Sequence, residues 1–127
     1  MQVSQGFTLI GEDREQTPMD LSAAEPAEVV VFDQTLFLEG DVPWEKGDEV
    51  GVMHGVAVVT HGGKAICNLI FRFDDEDSIT AGGVLPAETV SVGAGVITVG
   101  GGTGKYRGLS GQVRIETRNP KRYGFQV

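Results

Sequence analysis

"GGGTGKYRGLSG", residues Gly100–Gly111, decides between two fold classes. Six glycines surround one Lys-Tyr-Arg triplet. Ahead of a helix, such a loop would cradle phosphate; between two strands it is a turn. The phosphate-loop pattern G-x-x-x-x-G-K-S/T fails twice, because Tyr106 follows Lys105 and Val99 stands five residues before Gly104. The G-x-G-x-x-G spacing of a dinucleotide loop is missing as well. The chain then continues with "GQVRIETR", Gly111–Arg118, in which Val113, Ile115 and Thr117 share one face and Gln112, Arg114 and Glu116 the other. That period of two is a half-buried strand, so the glycine-rich stretch connects strand to strand.

Outward from this point the same pattern recurs. Strands are expected at Val3–Glu12, Glu28–Leu38, Glu49–His61, Lys64–Asp74, Asp77–Leu85, Gly93–Gly100, Gly111–Arg118 and Lys121–Val127. The connectors "GDVPWEKGD", "HGGK", "DDED" and "NPK" carry turn chemistry, and Gly-Gly in "HGGK" permits the positive φ of a tight hairpin. The polar segment Glu12–Ala27, with Pro18 and Pro26, reads as a long loop with at most one helical turn at "PMDLSAA". Loops of that length are often lids or rims. Short connections require antiparallel pairing, and closure removes the sheet edges. The expected fold is all-β: one domain, 1–127, folded as an eight-stranded antiparallel up-and-down β-barrel.

The alternation also sorts the faces. In "VVVFDQTLFL", Val30, Phe32, Gln34 and Leu36 share one face; Val29, Val31, Asp33, Thr35 and Phe37 share the other. Both are largely apolar, which leaves open a homo-oligomer, dimer or trimer, or packing under the long loop. In "GVMHGVAVVTH", Gly51, Gly55 and Ala57 lie on one face with Met53 and Val59. Small residues facing inward are expected to leave room for a ligand.

Composition narrows the function. Nineteen glycines, against an average usage of about 7%, fit a chain of turns and bulges. A net charge of −8 speaks against nucleic acid and anionic membranes as partners. No apolar run reaches a membrane span and no secretory h-region opens the chain, so a cytoplasmic location is expected. The single cysteine, Cys67, precludes an internal disulfide and reads as a buried core residue. His54 and His61 fall on opposite strand faces, no G-x-S-x-G elbow occurs, and "DDED" (Asp74–Asp77) reads as a solvated turn. No metal and no cofactor are expected.

"GGGTGKYRGLSGQV" resembles the late strand–loop–strand of the allene oxide cyclase barrel, close to the dirigent-like barrels. "EDREQTPMDL" resembles that family's charged loop, "VFDQTLF" its second strand, "GVMHGVAVV" its third, and "FRFDDEDSITAGG" its fourth and fifth. The resemblance implies an eight-stranded barrel with a mainly apolar cavity. The family positions that hold water against an epoxide fall on Leu9, Gly11, Pro18 and Gln34, and only Gln34 retains an amide; the cavity cysteine falls on Ala57. The chain thus departs from the family where the epoxide chemistry lives. "VFDQTLF" and "GTGKYRGLSG" also resemble bacterial spirotetronate and spirotetramate cyclases of polyketide pathways, with a cavity aromatic at Phe32.

That second resemblance implies a cofactor-free cyclase performing an intramolecular 4+2 cycloaddition on a small apolar polyene. Folding the substrate so that diene and dienophile meet can supply up to roughly 7–11 kcal/mol. Gln34 is expected to orient a carbonyl. Phe32, Met53, Ala57, Val113 and Ile115 would form the cavity wall, with help from Thr117 or Thr98. The loop Glu12–Ala27 and Trp44 would cap the mouth. A fatty-acid-epoxide-type isomerase and a non-catalytic dirigent-like binder are the alternatives.

Overall fold

A computed structural model describes residues 6–13, 28–87, 93–117 and 121–127. Strands β1 (Gly6–Asp13), β2 (Val29–Glu39), β3 (Lys46–Thr60), β4 (Lys64–Arg72), β5 (Ser78–Pro86), β6 (Ala94–Thr103), β7 (Gly111–Glu116) and β8 (Lys121–Gln126) close into one barrel in sequence order. All eight pairings are antiparallel, including β1 with β8. The all-β barrel read from the alternation is therefore the fold. The Gly100–Gly111 stretch connects strand to strand as expected, but β6 runs on to Thr103, beyond the expected end at Gly100, and a short 3-10 turn, Gly104–Tyr106, follows. The "HGGK" turn joins β3 to β4 with Gly62 and Gly63 at φ of 83° and 72°, the left-handed region that glycine enters without steric cost. Of the long loop, Glu12 and Asp13 belong to β1; residues 14–27, with the "PMDLSAA" turn, lie outside the described residues.

Inward positions build one apolar core. In β4, Ala65, Cys67, Leu69 and Phe71 are buried while Ile66, Asn68 and Ile70 face out. The outer wall keeps an apolar row that crosses four strands by register, Val29–Val58–Ile66–Val84. Among the described residues no helix is long and apolar enough to cross a membrane.

Two features position the functional site. The first is polarity of the ends. Strands β1, β3, β5 and β7 end, and β2, β4, β6 and β8 begin, at one end of the barrel, here the mouth; the β2–β3, β4–β5 and β6–β7 connections gather at the other. The second is an aromatic septum across the middle. Phe71 on β4 meets Tyr123 and Phe125 of β8 edge-on, with ring centroids at 5.2 and 5.0 Å. Phe7 of β1 stacks on Phe125 at 4.6 Å. Strands β4 and β8 lie on opposite sides of an eight-stranded barrel, so these rings divide the lumen into two compartments.

Candidate functional site

The mouth compartment is organised around Gln34. It projects inward from β2 beside its register partners Asp13 on β1 and Met53 on β3. Its side chain is 1% exposed, and an amide so buried must find partners. Gln34 Nε2 donates to Asp13 Oδ1 at 2.9 Å, and Tyr123 Oη donates to Gln34 Oε1 at 2.5 Å. Lys121 Nζ closes the set by donating to the second oxygen of Asp13 at 3.0 Å. The chain runs from Tyr123 through Gln34 and Asp13 to Lys121, joining three adjacent strands, β8, β1 and β2.

Gly11 makes that chain possible. β1 lies between β8 and β2, and Gly11 sits on its inward face between Lys121 and Leu36. A Cβ there would stand 2.7 Å from Tyr123 Cε2 and would collide with Gln34 Oε1. Only glycine lets the phenol reach across the strand to the amide.

The electrostatics follow from burial. Tyr123 is pushed well above the ordinary phenol range, mainly by desolvation and then by the Asp13 carboxylate, against the opposing hydrogen bond to Gln34. It stays a neutral donor. A donor on Oε1 polarises the amide and strengthens its N–H groups. Gln34 has two such groups; one goes to Asp13, and the other has no partner among the described residues. The Cys67 thiol, nearby on the wall, is raised by burial and is no thiolate nucleophile.

The cavity beside this chain is small, about 40 Å³, lined by Phe32, Met53, Cys67, Leu69, Ile115 and Thr117 among others. That is room for a few waters at most, well below the roughly 300–1,000 Å³ of common ligand pockets. The expected hollow inside the barrel is thus corrected. The small residues of β3 do face inward, but larger neighbours fill the space: a Cβ on Gly55 would lie 2.5 Å from Leu69 Cδ2 and 3.1 Å from Met53 Sδ. The cavity beside Gln34 is therefore too small to enclose a coiled polyene.

The sequence-derived residues separate accordingly. Gln34, Phe32, Met53, Ile115 and Thr117 meet at the cavity. Val113 and Ala57 point inward but are sealed in the core, each 0% exposed. Thr98 is misplaced by the sequence reading: Ile97 and Val99 take the inward positions of β6, so alternation turns Thr98 outward to solvent. Trp44 is not a cap of this mouth. It lies in the β2–β3 connection at the opposite end, with a backbone φ of 71° and the Arg122 guanidinium 5.7 Å from its ring. Asp13, Lys121 and Tyr123 carry no motif that marks them as site residues, and Gly11 enters the sequence reading only as a family position that lacks its amide. The period-two signal in "KRYGF" would have placed Lys121 and Tyr123 together on one face.

"DDED" is a turn held by its own backbone, with Asp74 Oδ1 accepting from the Glu76 and Asp77 amides at 2.8 and 2.7 Å. No group of three or more His, Cys, Asp or Glu side chains among the described residues is placed to hold a metal ion.

The site defines a small closed β-barrel with a polar, hydrogen-bonded mouth. Among solved structures, one similar to this chain is a pyocyanin demethylase, at 20% identity and a TM-score of 0.62, with 98% of each chain covered. That likeness concerns the fold. No family model and no curated protein matches the chain.

Proposed function

We propose that the protein is a cofactor-independent barrel enzyme that binds a small, largely apolar organic molecule at its mouth and hydrogen-bonds a substrate carbonyl through Gln34. The reaction assigned to it is an intramolecular 4+2 cyclisation of a polyene. The observation that carries this reading is the buried Gln34 amide, fixed between Tyr123 and Asp13 beside a cavity, with one N–H that has no partner among the described residues. A fixed neutral donor lowers the energy of an electron-poor carbonyl without moving a proton, which is all that a concerted cycloaddition asks of a polar group. Phe32 and Met53 offer apolar contact at the same place. The structural likeness to an enzyme with a small-molecule substrate in its name supports a catalytic role, not this reaction.

The Asp13–Lys121 ion pair beside Gln34 favours a second reading. A carboxylate at the mouth, held by an ammonium and an amide, suits proton transfer, as in an isomerase acting on an epoxide or a ketone.

One experiment separates the two. Linear polyenes carrying a conjugated carbonyl and, separately, fatty-acid epoxides are incubated with the purified protein, and product formation is followed by chiral chromatography and mass spectrometry. Under the cycloaddition reading Gln34→Leu slows turnover by about tenfold or more, Asp13→Asn changes it little, and the rate is flat across neutral pH. A bell-shaped pH profile abolished by Asp13→Asn establishes the isomerase instead. Tight binding with no turnover of either substrate class overturns both and leaves an orienting binder.

A further inference from the structure

The compartment on the far side of the septum has no part in the proposed reaction. It is a bowl of about 680 Å³ open to solvent, with Phe7, Val50, Phe73, Tyr106 and Leu109 in its wall and Asp74 and Lys105 at its rim. Its size falls within the range of small-molecule sites. Phe73 and Tyr106 lie 5.2 Å apart at 46°, so their rings form a tilted corner instead of a closed stack. Phe7, stacked on Phe125, forms part of the floor.

The connections around this bowl carry an acidic excess, although its own lining holds one group of each sign, Asp74 and Lys105. The connections 40–45, 73–77 and 104–110 carry six carboxylates against Lys105 and Arg107. At the rim itself, backbone amides of Glu76 and Asp77 hold the Asp74 carboxyl below the usual range, with Lys105 a lesser contributor. An acidic surround of this kind raises the local concentration of cations. The aromatic wall agrees with that sign, since ring faces attract cations. The protein itself supplies an instance: the Lys105 ammonium lies over the Tyr106 ring, 5.3 Å from its centroid, and makes no ion pair among the described residues.

We propose that this bowl is a second binding site, independent of the Gln34 mouth, for a flat aromatic cation. Its rings pack into the Phe73–Tyr106 corner over Phe7, and its positive charge faces Asp74. Lys105 occupies the position that the ligand's charge would take on Tyr106 and so competes with it.

The test uses two flat three-ring fluorophores of opposite charge, proflavine and anthracene-9-carboxylate, titrated into the full chain at neutral pH and moderate salt. Proflavine is expected to saturate, with shifts of the Phe73 and Tyr106 ring signals in NMR spectra, and anthracene-9-carboxylate to bind far more weakly. Tyr106→Ala weakens proflavine by about two- to fivefold. Lys105→Ala, a substitution at an exposed side chain, tightens it by a similar factor. Gln34→Leu leaves it unchanged, which separates this site from the mouth. Equal or tighter binding of the anion overturns the proposal. So does proflavine binding that is indifferent to both Tyr106→Ala and Lys105→Ala, since that is attraction to an acidic surface and not occupancy of the bowl.

Discussion

The two ends of the barrel solve the same problem in opposite ways. At the mouth, a chain of four hydrogen-bonded polar side chains runs beside a cavity of about 40 Å³, which three of them, Gln34, Lys121 and Tyr123, line. At the far end about 680 Å³ lies open, walled by aromatic rings that mostly touch one another. Eight strands enclose a lumen that side chains are able to fill, and here Phe71, Tyr123 and Phe125 fill its middle. The remaining space is thereby displaced to the ends. The narrow end is fixed by hydrogen bonds, and the wide end is bounded by apolar rings.

The septum is the place to break that contrast most severely. Phe71 is 0% exposed and touches both Tyr123 and Phe125. Phe71→Ala should cost about 3–5 kcal/mol of stability, measured by urea denaturation. Where the variant still folds, it should join the two compartments, so that an apolar probe occupying the bowl perturbs Gln34 side-chain resonances. A loss below about 1 kcal/mol would mean that the septum is not packed as described.

Gly11→Ala attacks the mouth alone. The added methyl must displace Gln34 or Tyr123, and overpacking of this kind costs about 1–3 kcal/mol. The Tyr123–Gln34 hydrogen bond should be lost, with the Tyr123 hydroxyl exchanging faster in NMR spectra, while ring shifts of Phe73 and Tyr106 stay unchanged. Movement at both ends would show that the compartments are coupled.

How much of this was legible in the sequence differs between the wall and the site. Strict alternation in "KAICNLIFR" and "GQVRIETR" determines both the strand and its inward face, because a one-residue slip would expose every apolar side chain. Gln34 was legible for the same reason: a polar residue in phase with Val30, Phe32 and Leu36. Thr98 was open to the same test, since "VITV" puts Ile97 and Val99 in phase, yet its hydroxyl drew it into the site. Trp44 failed for another reason. It sits in the β2–β3 connection, and because successive connections of an up-and-down barrel alternate between ends, strand order alone puts it opposite the connection between β1 and β2. The Tyr123–Gln34–Asp13 chain was hidden more deeply. Its members are 89 and 21 residues apart, and they meet only because closure makes β1 and β8 neighbours. Gly11, read locally, is a missing side chain; in the closed barrel it is the space through which Tyr123 reaches Gln34.

The smallest expected effect concerns what braces the wide end. Arg122 on β8 grips Glu39 at the end of β2 with two hydrogen bonds, at 2.6 and 3.0 Å, and Glu39 also accepts the Trp44 backbone amide at 2.9 Å. This holds the β2–β3 connection, with Trp44 in its unfavourable left-handed conformation, against the outer wall. The Arg122 hydrogen bond holds the Glu39 carboxyl below its ordinary value of 4.5, outweighing the opposing effect of burial, and the Trp44 amide adds to it. A carboxyl depressed in the folded state stabilises the fold above its unfolded value, and the contribution is lost as pH falls through the folded one. Glu39→Gln should therefore cost about 1 kcal/mol at neutral pH. The gap to the parent should close as pH drops below about 4.5. Urea denaturation of both proteins across that range reads the gap directly, and a difference that stays constant with pH would show that the Arg122–Glu39 pair contributes through packing and not through charge. Arg122 retains Glu116 at 3.6 Å in the variant, which is why the loss stays small and the mouth, on the other side of the septum, should not register it.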